Sequence, residues 1–225
     1  MSSLGGFGHT AAAKTLKELL PEEYEFSTIY PINELRIWRI PSAESFYNAM
    51  IASNLNRLMN WIALWVAPNL IKSRFKKTEN IVRSHIAKER PDLVISLIPF
   101  VNHPASEAAR KEGIPFLLIT TDNDLRNWVY GLKKLERPNF QVTIGSDLPS
   151  TRELLIHQGV NPHAIQTIGL PLRPGFVPAS SKNYLRTEHH IPQDRGVILL
   201  MMGGTGASNA FVFAKQILKM PENVS

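Results

Sequence analysis

The 225-residue chain contains no cysteine. That excludes disulfides, zinc ribbons and thiolate catalysis, and it suits a reducing compartment, so a cytoplasmic location is the expectation. Charge is ordinary at 20% and aromatics stand at 8% against 44% hydrophobic residues, a balance that excludes a coiled coil, a collagen-like fibre and a disordered tail. Long apolar runs are missing as well. The stretch from Leu58 to Ile71 is interrupted by Asn60, Pro68 and Asn69 and falls short of the ~18 residues of a spanning helix. Met1 leads straight into Ser2-Ser3-Leu4-Gly5, without the basic segment and apolar core of a signal peptide. Internal repeats and low-complexity segments are absent too.

Acidic residues are scarce in one region only. Between Met50 and Arg90, Arg57, Lys72, Arg74, Lys76, Lys77, Arg83, Lys88 and Arg90 face just Glu79 and Glu89, and this local excess equals the net charge of +6 of the whole chain. The remainder is balanced.

Along the chain, a glycine-rich turn, Gly5-Gly6-Phe7-Gly8, follows only a few strand-like residues and opens a helix from His9 to Leu20, so the first strand is expected to be clipped. Tyr24 to Tyr30 alternates as a strand does, and a connection punctuated by Pro31 and Pro41 follows. A long helical region is expected from Ser45 to Lys88, broken at Pro68. From Arg90 onward, apolar runs alternate with amphipathic stretches: Leu93–Ile98, a helix Ala105–Glu112, Phe116–Thr120, Gln141–Ile144, a helix Leu148–Gln158, and Ile165–Ile168. Strand, helix, strand in that rhythm predicts an α/β fold with a parallel sheet and crossover helices. After Arg173-Pro174-Gly175-Phe176 a polar stretch reads as a linker with one short helix. The apolar run Val197–Met202 then leads into Gly203-Gly204-Thr205-Gly206 and another helix, as if a second α/β unit were starting. At roughly 100–200 residues per domain, the expected division is a first domain at 1–176, a linker at 177–195 and the opening βα unit of a truncated second domain at 196–225.

Four segments in order carry a family resemblance: Gly6-Phe7-Gly8-His9-Thr10-Ala11-Ala12, Pro91-Asp92-Leu93-Val94-Ile95-Ser96, Ile119-Thr120-Thr121-Asp122 with Trp128 following, and Ile168-Gly169-Leu170-Pro171-Leu172-Arg173-Pro174-Gly175-Phe176. Together with Leu199-Leu200-Met201-Met202-Gly203-Gly204, they resemble the monogalactosyldiacylglycerol synthases and processive diacylglycerol glucosyltransferases, relatives of the peptidoglycan UDP-N-acetylglucosamine transferase. The resemblance implies a two-domain GT-B glycosyltransferase without a catalytic metal or cofactor. Its Rossmann-like N-terminal domain holds the acceptor, its C-terminal domain holds the UDP-sugar, and transfer inverts the anomeric centre. One departure stands out: where the family has a histidine shortly before the tryptophan, this chain has Leu125-Arg126-Asn127.

Within that reading His9 is the candidate base that takes the acceptor proton. A helix start favours the neutral imidazole, and a neutral imidazole accepts a proton near pH 7. Gly6 and Gly8 would let the backbone approach a ligand, an ordinary glycine turn being the plainer alternative. Asp122, just past an apolar strand, is the second catalytic candidate, to orient His9 or bind an acceptor hydroxyl, or else it closes an Asx turn. Trp128 and His103 are candidate acceptor-pocket residues, with a core tryptophan and a solvated loop histidine as the alternatives. Gly203 and Gly204 could face a phosphate or pack a strand against a helix, and without a Walker lysine they do not indicate ATP hydrolysis.

Trp61 and Trp65 beside Lys72, Arg74, Lys76 and Lys77 suggest contact with an anionic membrane surface, the alternative being apolar packing with a solvated basic face. No nucleic-acid-binding module accompanies the charge. The expectation is therefore the acceptor-side part of a glycosyltransferase acting from a UDP-hexose on a diacylglycerol-type lipid, peripheral on the cytoplasmic face of a membrane. N-acetylglucosamine transfer to a polyprenyl-linked intermediate and a non-catalytic membrane-binding remnant are the rivals.

Overall fold

The computed structural model describes residues 1–3, 8–35, 46, 49–50, 53, 55–132, 139–176, 180–201 and 209–219. Short apolar runs become strands where they can be buried, and the sheet has four: β1 (Val94–Ser96), β2 (Phe116–Ile119) and β3 (Phe140–Ile144), mostly covered on both faces, and β4 (Ile165–Thr167) at the edge, which buries Ile165 alone. They pair in that order, all parallel, with Val94 beside Phe116, Phe116 beside Phe140, and Val142 beside Ile165. Residues 1–3 extend the ladder. The Met1 amino group donates to the Ile95 carbonyl at 2.5 Å and Leu97 N–H donates back to the Met1 carbonyl at 3.1 Å, the slanted pattern of a parallel pair.

Helices cover both faces. The helix α1 (Gly8–Leu19) lays Ala12, Ala13 and Leu16 against Ile95, Leu97, Leu117 and Ile119. The other face, with Val94, Phe116, Leu118 and Val142, meets the small residues Ala105, Ala108 and Ala109 of a second helix, Asn102–Lys111. Phe116 and Phe140 stack across neighbouring strands with centroids 5.6 Å apart. Chain order numbers the remaining helices around these: α2 (Pro31–Glu34), α3 (Asn56–Trp61), α4 (Ala67–Ser73), α5 (Phe75–Glu89), α6 (Asn102–Lys111), α7 (Pro149–His157), α8 (Lys182–Glu188) and α9 (Asn209–Ile217). Val82 and Ile86 of α5 belong to the same core as α6. Between these two helices the buried Glu79 carboxylate accepts from Lys111 and, at 3.2 Å, from Lys76.

The parallel α/β architecture is the one the strand-helix rhythm predicts, and the differences have local causes. Pro68 does not break the helical region. A π turn at Ile62–Val66, closed by Ala67 N–H donating to the Ile62 carbonyl, precedes it, and Pro68 falls in the first turn of α4, where a missing N–H costs little. The interruption comes instead at Arg74. Pro31 opens the short helix α2 rather than a plain connection. Tyr24–Tyr30 is not a strand: Ser2 N–H donates to the Ile29 carbonyl at 3.0 Å, and one such bond does not make a ladder. The apolar run at 196–201 is likewise unpaired among the described residues, leaving Ile198, Leu199 and Met201 exposed, because an apolar sequence becomes a strand only beside another strand. Among the described residues no helix is long and apolar enough to cross a membrane.

Candidate functional site

In a parallel sheet every strand ends at the same edge, so the loops that follow the strands meet there. His9 enters from residues 1–3 through the start of α1, Leu97 follows β1, and Thr120 to Trp128 follow β2. The His9 ring is half-buried. Its Nδ1 lies 3.1 Å from the Thr121 hydroxyl, and it pairs with the Trp128 ring in an edge-to-face arrangement with centroids 5.8 Å apart and planes at 61°. Burial pushes the His9 imidazole below its ordinary pKa, while the Leu97 carbonyl and the charge of Asp122 pull it back up. The net direction is downward, so the ring is neutral at pH 7. Burial leads here, where the sequence pointed to the helix start.

Asp122 is exposed, and its Oδ1 accepts from the backbone N–H of Asn123 at 2.7 Å and of Asp124 at 3.3 Å. That is an Asx turn, with the carboxylate acting on His9 through space. Trp128 is 2% exposed and sits in a turn within the main core, which is the core alternative for this residue, with its ring against that of His9. His103 is not in a loop. It occupies the first turn of α6, half-buried, with its ring 4.7 Å from that of Phe75. It also packs under Gly131, where φ is +80° and a Cβ would fall 2.6 Å from His103 Nδ1. Gly8 is exposed, and a Cβ there would meet nothing within 4 Å. Gly6, Gly203 and Gly204 lie outside the described residues.

The segment in place of the family's histidine is internally engaged. Leu125 is buried, and Arg126 grips the Asp124 carboxylate through Nε at 2.9 Å and a terminal nitrogen at 2.5 Å, holding that carboxyl below its ordinary range. Asn123, Asp124, Leu125 and Arg126 line a cavity of about 420 Å³ together with Ser150 and Thr151 at the start of α7. Among the described residues no group of three or more His, Asp or Glu side chains is placed to hold a metal ion.

Of the basic and aromatic residues, Trp61 and Trp65 are 55% and 66% exposed, and Leu58 and Val66 are exposed beside them. Lys72 and Lys77 are exposed. Arg74 is half-buried, and Lys76 is exposed while reaching Glu79. Two site residues escaped the sequence. Thr121 was visible as a hydroxyl next to Asp122 in the strand-end motif, but its role as partner of His9 depends on the fold. Asn102, fully buried behind Trp128, carried no local signal.

No protein-family model matches the chain, and no solved structure matches it. Curated relatives do. The chain is 27% identical to the probable monogalactosyldiacylglycerol synthase, chloroplastic, of Nicotiana tabacum, over 92% of its own length and 39% of that protein's. It is 28% identical to the monogalactosyldiacylglycerol synthase, chloroplastic, of Spinacia oleracea and to monogalactosyldiacylglycerol synthase 1, chloroplastic, of Arabidopsis thaliana, in each case over 92% of this chain and 40% of the relative. The relationship is distant and agrees with the resemblance carried by the motifs. The chain spans about two fifths of the length of these relatives.

Proposed function

We propose that this distant relative of the monogalactosyldiacylglycerol synthases is the acceptor-side part of a glycosyltransferase of glycolipid biosynthesis. It would act with a UDP-hexose as donor and a diacylglycerol-type lipid as acceptor. The observation that carries the proposal is a half-buried His9, with Thr121 and Trp128 against its ring, at the carboxyl edge of the parallel sheet, in a chain similar to these synthases over 92% of its length. In the proposed division, residues 1–176 bind the acceptor, 177–195 link, and 196–225 open the donor-binding domain.

The chemistry follows from the neutral ring. We assign the ring the Nδ1–H tautomer, in which Nδ1–H donates to the Thr121 hydroxyl and Nε2 keeps a lone pair that takes the proton of the acceptor hydroxyl as that oxygen bonds to the anomeric carbon. The bond from the anomeric carbon to the UDP oxygen breaks, UDP leaves with the electron pair, and the configuration inverts. The imidazolium formed is stabilised by the nearby Asp122 carboxylate. Trp128 supplies an apolar wall that keeps water from the ring.

A lipid acceptor must be met at a membrane, and the exposed Trp61 and Trp65 beside Lys72 and Lys77 support docking at an anionic surface on the cytoplasmic face. The test is transfer of labelled hexose from UDP-galactose or UDP-glucose to diacylglycerol in anionic vesicles by the native polypeptide that carries this sequence. His9→Ala is expected to lower kcat by about 10²–10⁴-fold, the usual worth of a general base. Undiminished turnover in that variant removes His9 from the base role. Vesicle binding without transfer from any UDP-sugar identifies a membrane-binding remnant instead.

A further inference from the structure

We propose that Asn102 is a positioning residue whose buried carboxamide fixes the turn carrying Trp128, so that the indole ring is held against His9. Asn102 opens α6 and is 1% exposed. Its Nδ2 donates to the carbonyls of Ile98 and Trp128, both at 2.9 Å, and its Oδ1 accepts from the Ser96 hydroxyl at 2.6 Å. Both carbonyls can only accept, so the orientation of the amide is fixed by its partners. One side chain thus ties together the end of β1, the loop after it and the turn after β2.

The neighbouring carbonyl, that of Asn127, is held separately by Phe100 N–H at 2.7 Å, from a residue in the left-handed region at φ +69°. The main chain therefore anchors one side of the turn and Asn102 the other. Leu125, Val129 and Leu132 already bury the turn by apolar contact. A buried amide returns little net stability, because its bonds replace bonds to water. What a satisfied polar group adds is a unique placement, and the group placed is the backbone of Trp128, whose ring stands against that of His9.

Without the carboxamide, the Ile98 and Trp128 carbonyls are left unpaired in the interior, and the turn must move to reach water. The indole then leaves His9, the imidazole gains solvent, and its proton affinity rises while the Asp122 charge still faces it. The importance of this cover for turnover rests on the glycosyl-transfer reading; the geometry does not.

The test uses the 225-residue chain with Trp38, Trp61 and Trp65 replaced by Phe, leaving Trp128 as the only tryptophan. In Asn102→Ser, the NMR titration midpoint of the His9 ring is expected to rise toward the ordinary imidazole value, and Trp128 emission to shift to longer wavelength with stronger iodide quenching. Leu155→Ala, in the same core but on α7 and outside the turn, is the control. It lowers the melting temperature through the same core and leaves the His9 midpoint in place. A folded Asn102→Ser chain with both readings unchanged overturns the proposal. Should that variant not fold, the near-isosteric Asn102→Asp, which removes the Nδ2 donor facing the Ile98 and Trp128 carbonyls, takes its place, and unchanged readings there overturn it equally. Neither reading involves sugar transfer, so failure of the glycosyltransferase reading leaves them standing. Conversely, wild-type transfer with an unaltered pH profile in Asn102→Ser counts against the positioning role alone.

Discussion

In the proposed transfer, His9 would couple the chemistry to pH in a direction that burial determines. Its folded pKa lies below the ordinary imidazole value, so the unfolded chain binds the proton more readily. Stability is full above about pH 6.5, falls as the pH drops toward the folded value, and has lost this contribution below it. Activity follows the same sign: the acid limb of a transfer profile is expected below pH 6.5, since the base works only when neutral. Thr121→Val removes the hydroxyl at Nδ1 and leaves the ring in place. Losing one hydrogen bond, worth about 0.5–1.5 kcal/mol, is expected to lower kcat roughly 2- to 12-fold with KM unchanged. Gly131→Ala forces a side chain into the left-handed region and against His103, and a melt is expected to show about 1–3 kcal/mol lost. At this scale His9 was legible because a histidine after a glycine turn is a local pattern. Thr121 and Asn102 matter through partners 112 and 26 residues away, and no local pattern encodes those distances.

Helices α5 and α6 are joined by a buried acid. Burial pushes the Glu79 carboxyl up, but Lys111 and Lys76 outweigh it and hold the group below its ordinary range. Stability from this contact is complete above the ordinary carboxylate value of about 4.3 and is lost as the pH falls through the lower folded one. Glu79→Gln is expected to cost about 1–3 kcal/mol in a urea titration at pH 7, the worth of hydrogen bonds to a charged group. Lys111 keeps partial access to water and Lys76 ample access, which limits the loss. Elements were legible where burial on both faces matched an apolar run, as in Val94–Ser96 and Phe116–Ile119. Tyr24–Tyr30 was misread, since it alternates without a ladder, while the run that begins at Val197 has no strand beside it among the described residues and ends at Met202, outside them.

The molecule carries its whole net charge in one region, beside its exposed tryptophans. Binding to anionic vesicles is expected to weaken steeply with salt, since surface charges are screened within about 8 Å at physiological ionic strength. Trp61→Ser together with Trp65→Ser is expected to weaken it a further 10- to 100-fold, or about 1.4–2.8 kcal/mol, in a sedimentation assay. Binding that ignores both salt and these substitutions removes this face from the membrane reading. The π turn at Ile62–Val66 gives the same face a different kind of control. Its wider turn takes up one residue more than an α-helical turn, and each residue advances a helix by about 100°. The direction in which Trp61 points, relative to the core side of α5, is therefore set by the number of residues in the segment as much as by their identity. Removing Ala63 alone would leave every tryptophan and lysine in the chain and still turn α3 by about a quarter of a rotation. Length here acts as a dial on azimuth, and a family comparison that counted only substitutions would not see it turn.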